Sequence, residues 1–251
     1  MRVLLALAAV AGLAVTGEAS GPRNDLWGEI LRARVTPAGE VAYRTIARVD
    51  RDRLAEYLAS LAAADLGRMS ADETVAFWIN AHNAMVVFGV IHGGNPETLA
   101  GRARLYHWFQ LELAGARRTL DGIAILLETH AAADPRIHFA LCIGTRGSPP
   151  LAVEPYDADR LDSALAAAGR RFVNDSTRNR LDLVGRRVEL SPVFAWHEAD
   201  FTRSAGSLPA FVGRLAVHPK AALILRRPEV SASFREFDWR LNAAPGEHPF
   251  E

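Results

Sequence analysis

His138 is the side chain best placed to do chemistry in this sequence. It stands in an apolar run, residues 137–143, directly upstream of the turn-rich loop 144–150. A strand ending there would present the imidazole to a cleft, and imidazole gains and loses its proton near neutral pH. As a base it needs a nucleophile or a substrate proton within hydrogen-bond reach. The competing reading is a core histidine bonded to a carbonyl.

Asn80 and Asn83 stand three apart in an apolar helical stretch and therefore share a face. A buried amide left unpaired costs about 1–3 kcal/mol. Either the pair binds substrate or orients a histidine in a cleft, or it ties the helix to loop backbone. His82 lies off that face and is expected to be structural or exposed. Arg136 can grip a carboxylate or phosphate with its fork of donors, or pair with Asp134 two residues away. The eight histidines show no His-x-x-x-His and no Cys/His spacing, and neither a phosphate-binding loop nor a dinucleotide fingerprint is present. No metal and no cofactor is expected.

These residues must be positioned by helices and short strands. Ser70-Ala71-Asp72-Glu73 reads as a capping box opening a helix that runs to about Ile91 and stops at Gly93-Gly94. That helix is apolar nearly all round, which predicts a central, buried element. Amphipathic helices are expected at 27–33, from Asp50, from Asp121 to His130, at 157–172, from Ser191 and at 208–217. Hairpins are expected over 105–120, turning at Ala114-Gly115-Ala116, and over 181–190, turning at Gly185-Arg186. A brief strand at 39–43, strand-like residues 137–143 and an extended segment at 233–241 complete the pattern. The fold class is α+β: a single domain with a buried central helix packed on a mostly antiparallel sheet, flanked by amphipathic helices.

Bulk composition narrows the setting. Twenty-nine basic and 29 acidic residues cancel, so the concentrated positive charge that a nucleic-acid partner requires is missing. With 49% hydrophobic residues the chain can bury a core. A lone cysteine, Cys142, rules out an internal disulfide. Residues 1–19 pair one arginine with an uninterrupted apolar run at 3–15 and a small-residue ending, the pattern of a cleavable export signal. The run is shorter than the roughly 20 residues of a bilayer span. The expectation is a periplasmic or secreted protein, with residues 20–251 as one globular domain and no stable membrane span after cleavage.

Four phrases, in order, resemble the domain-of-unknown-function 547 family. FWINAHNA (77–84) is similar to its FWINLYNA signature, and DPRIHFALCIGTRGSPPL (134–151) to its DPRIHFALNCGAKSCPPI stretch. SPVFAWHEADF (191–201) resembles its K-x-F-x-W-x-x-x-D-F element, and FDWRLN (237–242) its closing YDWSLN. The family's asparagine-cysteine pair is Cys142-Ile143 here, its second cysteine is Ser148, and its Ile-Glu-His element is Ile123-Ala124-Ile125. The resemblance therefore implies a site that has lost two thiols, an acid and an imidazole. It makes Ser148 a candidate nucleophile, provided that His138 removes its proton and a third group, Asp134 or Asp121, orients the histidine. Without such a base Ser148 is a turn serine before two prolines.

The expected function is an exported binding or accessory domain with an eroded polar site, its partner an unknown small molecule or envelope component. An alternative is a cofactor-independent periplasmic hydrolase or acyltransferase with a papain- or transglutaminase-like centre. His138 and Ser148 would then be catalytic, with Asn80, Asn83 and Arg136 binding substrate. A structural role in an envelope complex is the other alternative.

Overall fold

The computed structural model describes residues 21–250; the expected export signal lies outside them. Helices dominate. α1 (Asn24–Arg34), the single turn α2 (Tyr43–Thr45) and α3 (Arg51–Ala62) turn Trp27, Ile30, Leu31, Tyr43, Leu54 and Leu61 into a shared interior. Trp27 stacks on Tyr57 with centroids 5.6 Å apart. α4 (Ala71–Ile91) begins at the expected capping box: Ser70 Oγ accepts from the Glu73 N–H at 3.2 Å, and Glu73 Oε2 accepts from the Ser70 N–H at 2.7 Å. α4 is long and apolar enough to cross a membrane, but 83% of its most apolar window is buried inside the fold.

After α5 (Leu99–Ala103) the chain makes one turn of wider helix through Trp108, where the first arm of a hairpin was expected. Only β1 (Leu111–Leu113) and β2 (Ala116–Arg118) pair, antiparallel. Ala114 and Gly115 both take positive φ, the two-residue turn whose twist suits a hairpin. α6 (Leu120–Ala133) is capped by Thr119, whose Oγ1 accepts from the Gly122 N–H, and Asp121 sits one step inside.

The apolar run 137–143 is not a strand. Residues Pro135–Phe139 form a 3-10 helix that closes in a turn at Ala140, and residues 141–143 belong to no helix or ladder. The local cause is the pair before it: Asp134 accepts from the Arg136 N–H at 3.0 Å, and Pro135 carries the φ of a first helical turn. α7 (Leu161–Val173) follows. β3 (Arg180–Asp182) pairs antiparallel with β4 (Arg187–Leu190), which pairs in parallel with β5 (Ser231–Phe234). Between β4 and β5 lie α8 (Pro192–Trp196), α9 (Glu198–Ala205), α10 (Leu208–Leu215) and α11 (Ala221–Ile224). The chain is α+β with small sheets, and the neighbours packed on α4 are mainly helices, α6 and α3 foremost.

The buried apolar residues form two clusters. The first surrounds α4 and draws on α1, α3 and α6. The second is aromatic: Phe139, Phe172, Phe194, Phe201 and Phe211 lie in ring contact, with centroids 4.8–6.2 Å apart. The 3-10 helix joins them, since Ile137 belongs to the first cluster and Phe139 to the second. His138 sits between the two.

Candidate functional site

Because its neighbours on either side anchor in different cores, the His138 side chain is directed along the seam. A cavity of about 440 Å³ opens there. Its walls are apolar in the main, with Ala124, Leu127 and Ala131 of α6, Leu141 and Ile143 after the 3-10 helix, and Val193 and Trp196 of α8. The polar groups on it are His82, Glu128, His138, His197 and Asp200.

Three of these form a compact group. His138 Nε2 and Asp200 Oδ2 are 2.9 Å apart, and Asp200 Oδ1 accepts from Arg203 Nη1, also at 2.9 Å. The His197 ring lies on the His138 ring, centroids 3.7 Å apart and planes 15° from parallel. Phe201 meets His138 edge-on at 5.5 Å, which fixes the imidazole from the aromatic core side. Among the described residues, His138 Nδ1 and both nitrogens of His197 have no hydrogen-bond partner.

Burial sets the protonation. It lowers the pKa of His138, and the hydrogen bond and charge of Asp200 offset this only in part. His197 is pushed down to about 4, first by burial and then by the neighbouring His138. His82 is likewise pushed down to about 4 by burial, against the pull of Asn83 and Asp121. For Asp200 burial acts upward, but the bonds from His138 and Arg203 outweigh it and hold the carboxyl below its usual range. At neutral pH the cavity therefore presents neutral imidazoles beside the Asp200 carboxylate.

The residues expected from sequence are distributed differently. Of the catalytic pair, His138 faces the cavity and Ser148 does not. Ser148 is fully buried, and its hydroxyl donates to the carbonyls of Thr145 (2.7 Å) and Pro149 (3.3 Å). No hydrogen bond joins it to His138, because the loop points Ser148 inward toward Cys142, 3.8 Å away. Cys142 is buried too, and burial raises its thiol pKa, with the Gly144 N–H and Ser148 opposing. Gly144, at φ 78°, turns the chain so that Ile143 rather than Cys142 reaches the cavity wall.

Asn80 and Asn83 bind loop backbone, the second of the two readings open to them. Asn80 donates to the Tyr156 carbonyl (2.7 Å) and accepts from the Tyr156 N–H (2.9 Å). Asn83 donates to the Ala140 carbonyl (2.9 Å) and accepts from the Cys142 N–H (3.0 Å). Both amides satisfy backbone that has left regular structure, which is what a buried loop requires. Arg136 is engaged by Asp134 and by Asp162 at 2.7 Å, away from the cavity. Neither Asp134 nor Asp121 orients His138; Asp121 pairs with His107. His82, expected off the functional face, is buried and lines the cavity.

Sequence reasoning missed His197 and Asp200. The signal was present in SPVFAWHEADF, whose aspartate is Asp200; what the spacing could not say is that α9 folds back 62 residues onto His138.

Comparison with known families bears on the same region. Residues 66–173 match the family model described as protein of unknown function, DUF547. They belong to the DUF547 family. No curated protein and no solved structure matches the chain. The DUF547 segment spans α4, α6, the 3-10 helix and α7, and so supplies His82, Ala124, His138 and Ile143 to the cavity. His197 and Asp200 come from beyond its end.

Proposed function

We propose that this chain is an exported small-molecule-binding protein. The ligand has an apolar body, held between α6 and α8, and a polar group that hydrogen-bonds the imidazoles of His138 or His197. The observation that carries this reading is an open, mainly apolar cavity that holds the compact His138, His197 and Asp200 group and has no activated nucleophile on its walls. Cavities of this size and lining, with a few convergent polar groups, are the usual form of a ligand site. The motif alignment adds support. The positions at which the family carries glutamate and cysteine are Ala124 and Ile143, and both line this cavity. Export rests on the apolar run at residues 3–15 and the small residues that follow it.

The His138–Asp200 pair also favours a second reading, a general base acting on a bound water. It lacks a protein nucleophile, and a base of lowered pKa is the weaker for it. Binding is the reading to test first. Anilinonaphthalene sulfonate, an apolar body with one anionic group, serves as probe. The folded protein is expected to bind it saturably at one site. Ala124→Trp, at an exposed position of α6 on the cavity mouth, is expected to weaken binding about tenfold or more while leaving the fold intact, since an indole at the mouth removes contact area from the ligand. Equal binding by the variant, or no saturable binding by the parent protein, would refute the assignment.

A further inference from the structure

The unpartnered nitrogens on the seam carry a more specific inference. We infer that His138, His197 and Asp200 form a binding site for a divalent first-row transition metal ion, Zn2+ being the reference case. The step goes beyond the apolar-ligand reading and needs only that the same cavity be open.

Each of the three residues offers one ligand atom, and these atoms lie within 4.8 Å of one another. Two imidazoles and a carboxylate are the donor set of open, three-ligand metal sites, in which the remaining position is left to water or substrate. The structure meets the demands of such a site in two ways. Asp200 is fixed from behind by Arg203, which holds Oδ1 and leaves Oδ2 turned toward the rings. The group lies on the cavity wall, so the fourth position opens onto about 440 Å³ of space.

One movement is required. Two rings stacked nearly parallel at 3.7 Å direct their in-plane lone pairs side by side, and a metal about 2.1 Å from each nitrogen cannot lie in both planes. His197 is the ring that must turn. No hydrogen bond restrains it, it is only half-buried, and the terminal torsion of histidine is broad. His138 in turn exchanges its hydrogen bond with Asp200 for shared coordination of the metal. In the metal-loaded protein a ligand bond would occupy one of the two His197 nitrogens that stand without partners here.

The experiment uses untagged protein freed of metal by chelator dialysis and titrated with Co2+, followed by visible absorption and then by Zn2+ competition. The expected result is one Co2+ per chain, with d–d bands of a low-coordinate site that Zn2+ bleaches. His197→Ala is expected to weaken binding about 100-fold or more, beyond the 10–100-fold typical of losing an outer-sphere partner. Asp200→Asn is expected to weaken it as well. The His197 side chain makes no hydrogen bond, so its alanine variant keeps the parent circular dichroism and tests ligation alone. Uptake of no Co2+ by the parent protein overturns the proposal, and so does uptake unchanged in His197→Ala. The probe titration above is independent: protein that binds the probe but no Co2+ loses the metal site and keeps the pocket, and the reverse result does the opposite.

Discussion

The two cores are built on different principles, and the cavity exists because they meet. Around α4 the packing is largely aliphatic and helical, and two of its buried polar residues, Asn80 and Asn83, hold loops in place. Around Phe139 it is a cluster of five phenylalanines that fixes α9 and thereby His197 and Asp200. Both regions wall the cavity, and the second supplies His197 and Asp200. A single short helix, Pro135–Phe139, has a foot in each, and the residue between the feet is His138. The lesson is that a seam between two packing styles leaves room that neither core fills.

The comparison breaks most sharply at Phe201. It is fully buried, touches Phe139, Phe194 and Phe211, and abuts His138. Phe201→Ala is expected to cost about 3–5 kcal/mol, the usual range for emptying a phenylalanine site in a packed core. The loss should fall on the second region. In urea, near-ultraviolet dichroism from the aromatic cluster is expected to melt before the far-ultraviolet helix signal. Coincident melting at an unchanged midpoint would mean that the two cores are one cooperative unit with slack at Phe201.

What the sequence displayed follows the same division. The first region was legible because its signals are local: the capping box at Ser70, the apolar circumference of α4 and the turn at Ala114-Gly115. The second was only half legible. Its helices could be placed, yet the meeting of His138 with Asp200 depends on contacts across 62 residues, which no periodicity encodes. The run 137–143 misled for a related reason. An apolar stretch of seven residues looks like a strand, but here alternate residues face two cores and a cavity instead of the two faces of a sheet. Ser148 misled because a serine near a histidine in sequence suggests a pair, and the loop turned it inward.

Acid sharpens the comparison next. His82 belongs to α4 and lines the cavity, and its pKa falls from 6.5 unfolded to about 4 folded. The unfolded chain therefore takes up the proton first on acidification. Stability from this group is fully present above pH 6.5 and is lost as the pH falls toward 4, a change of about 3 kcal/mol for a shift of that size. Urea unfolding free energies at a series of pH values should decline across that window, and His82→Gln should flatten the decline. His197 acts with the same sign through its own pKa of about 4. An equally steep profile in His82→Gln would assign the acid sensitivity to the second region.

The smallest effect separates structure from chemistry at Ser148. Its hydroxyl donates to the Thr145 carbonyl, which also accepts from the Ser148 N–H at 3.2 Å, so removing the hydroxyl leaves that oxygen with one partner. Arg178 still clamps the loop through the carbonyls of Ser148 (3.0 Å) and Arg146 (2.6 Å). Ser148→Ala is accordingly expected to cost about 1 kcal/mol, the net worth of one internal hydrogen bond, and to leave probe and Co2+ binding unchanged. A nucleophile behaves otherwise: its loss spares stability and abolishes turnover. Ser148→Ala protein with parent stability and no residual activity on any ester or amide that the parent cleaves would restore the serine to the site, and the cavity at His138 would then have to open toward a loop that now faces away from it.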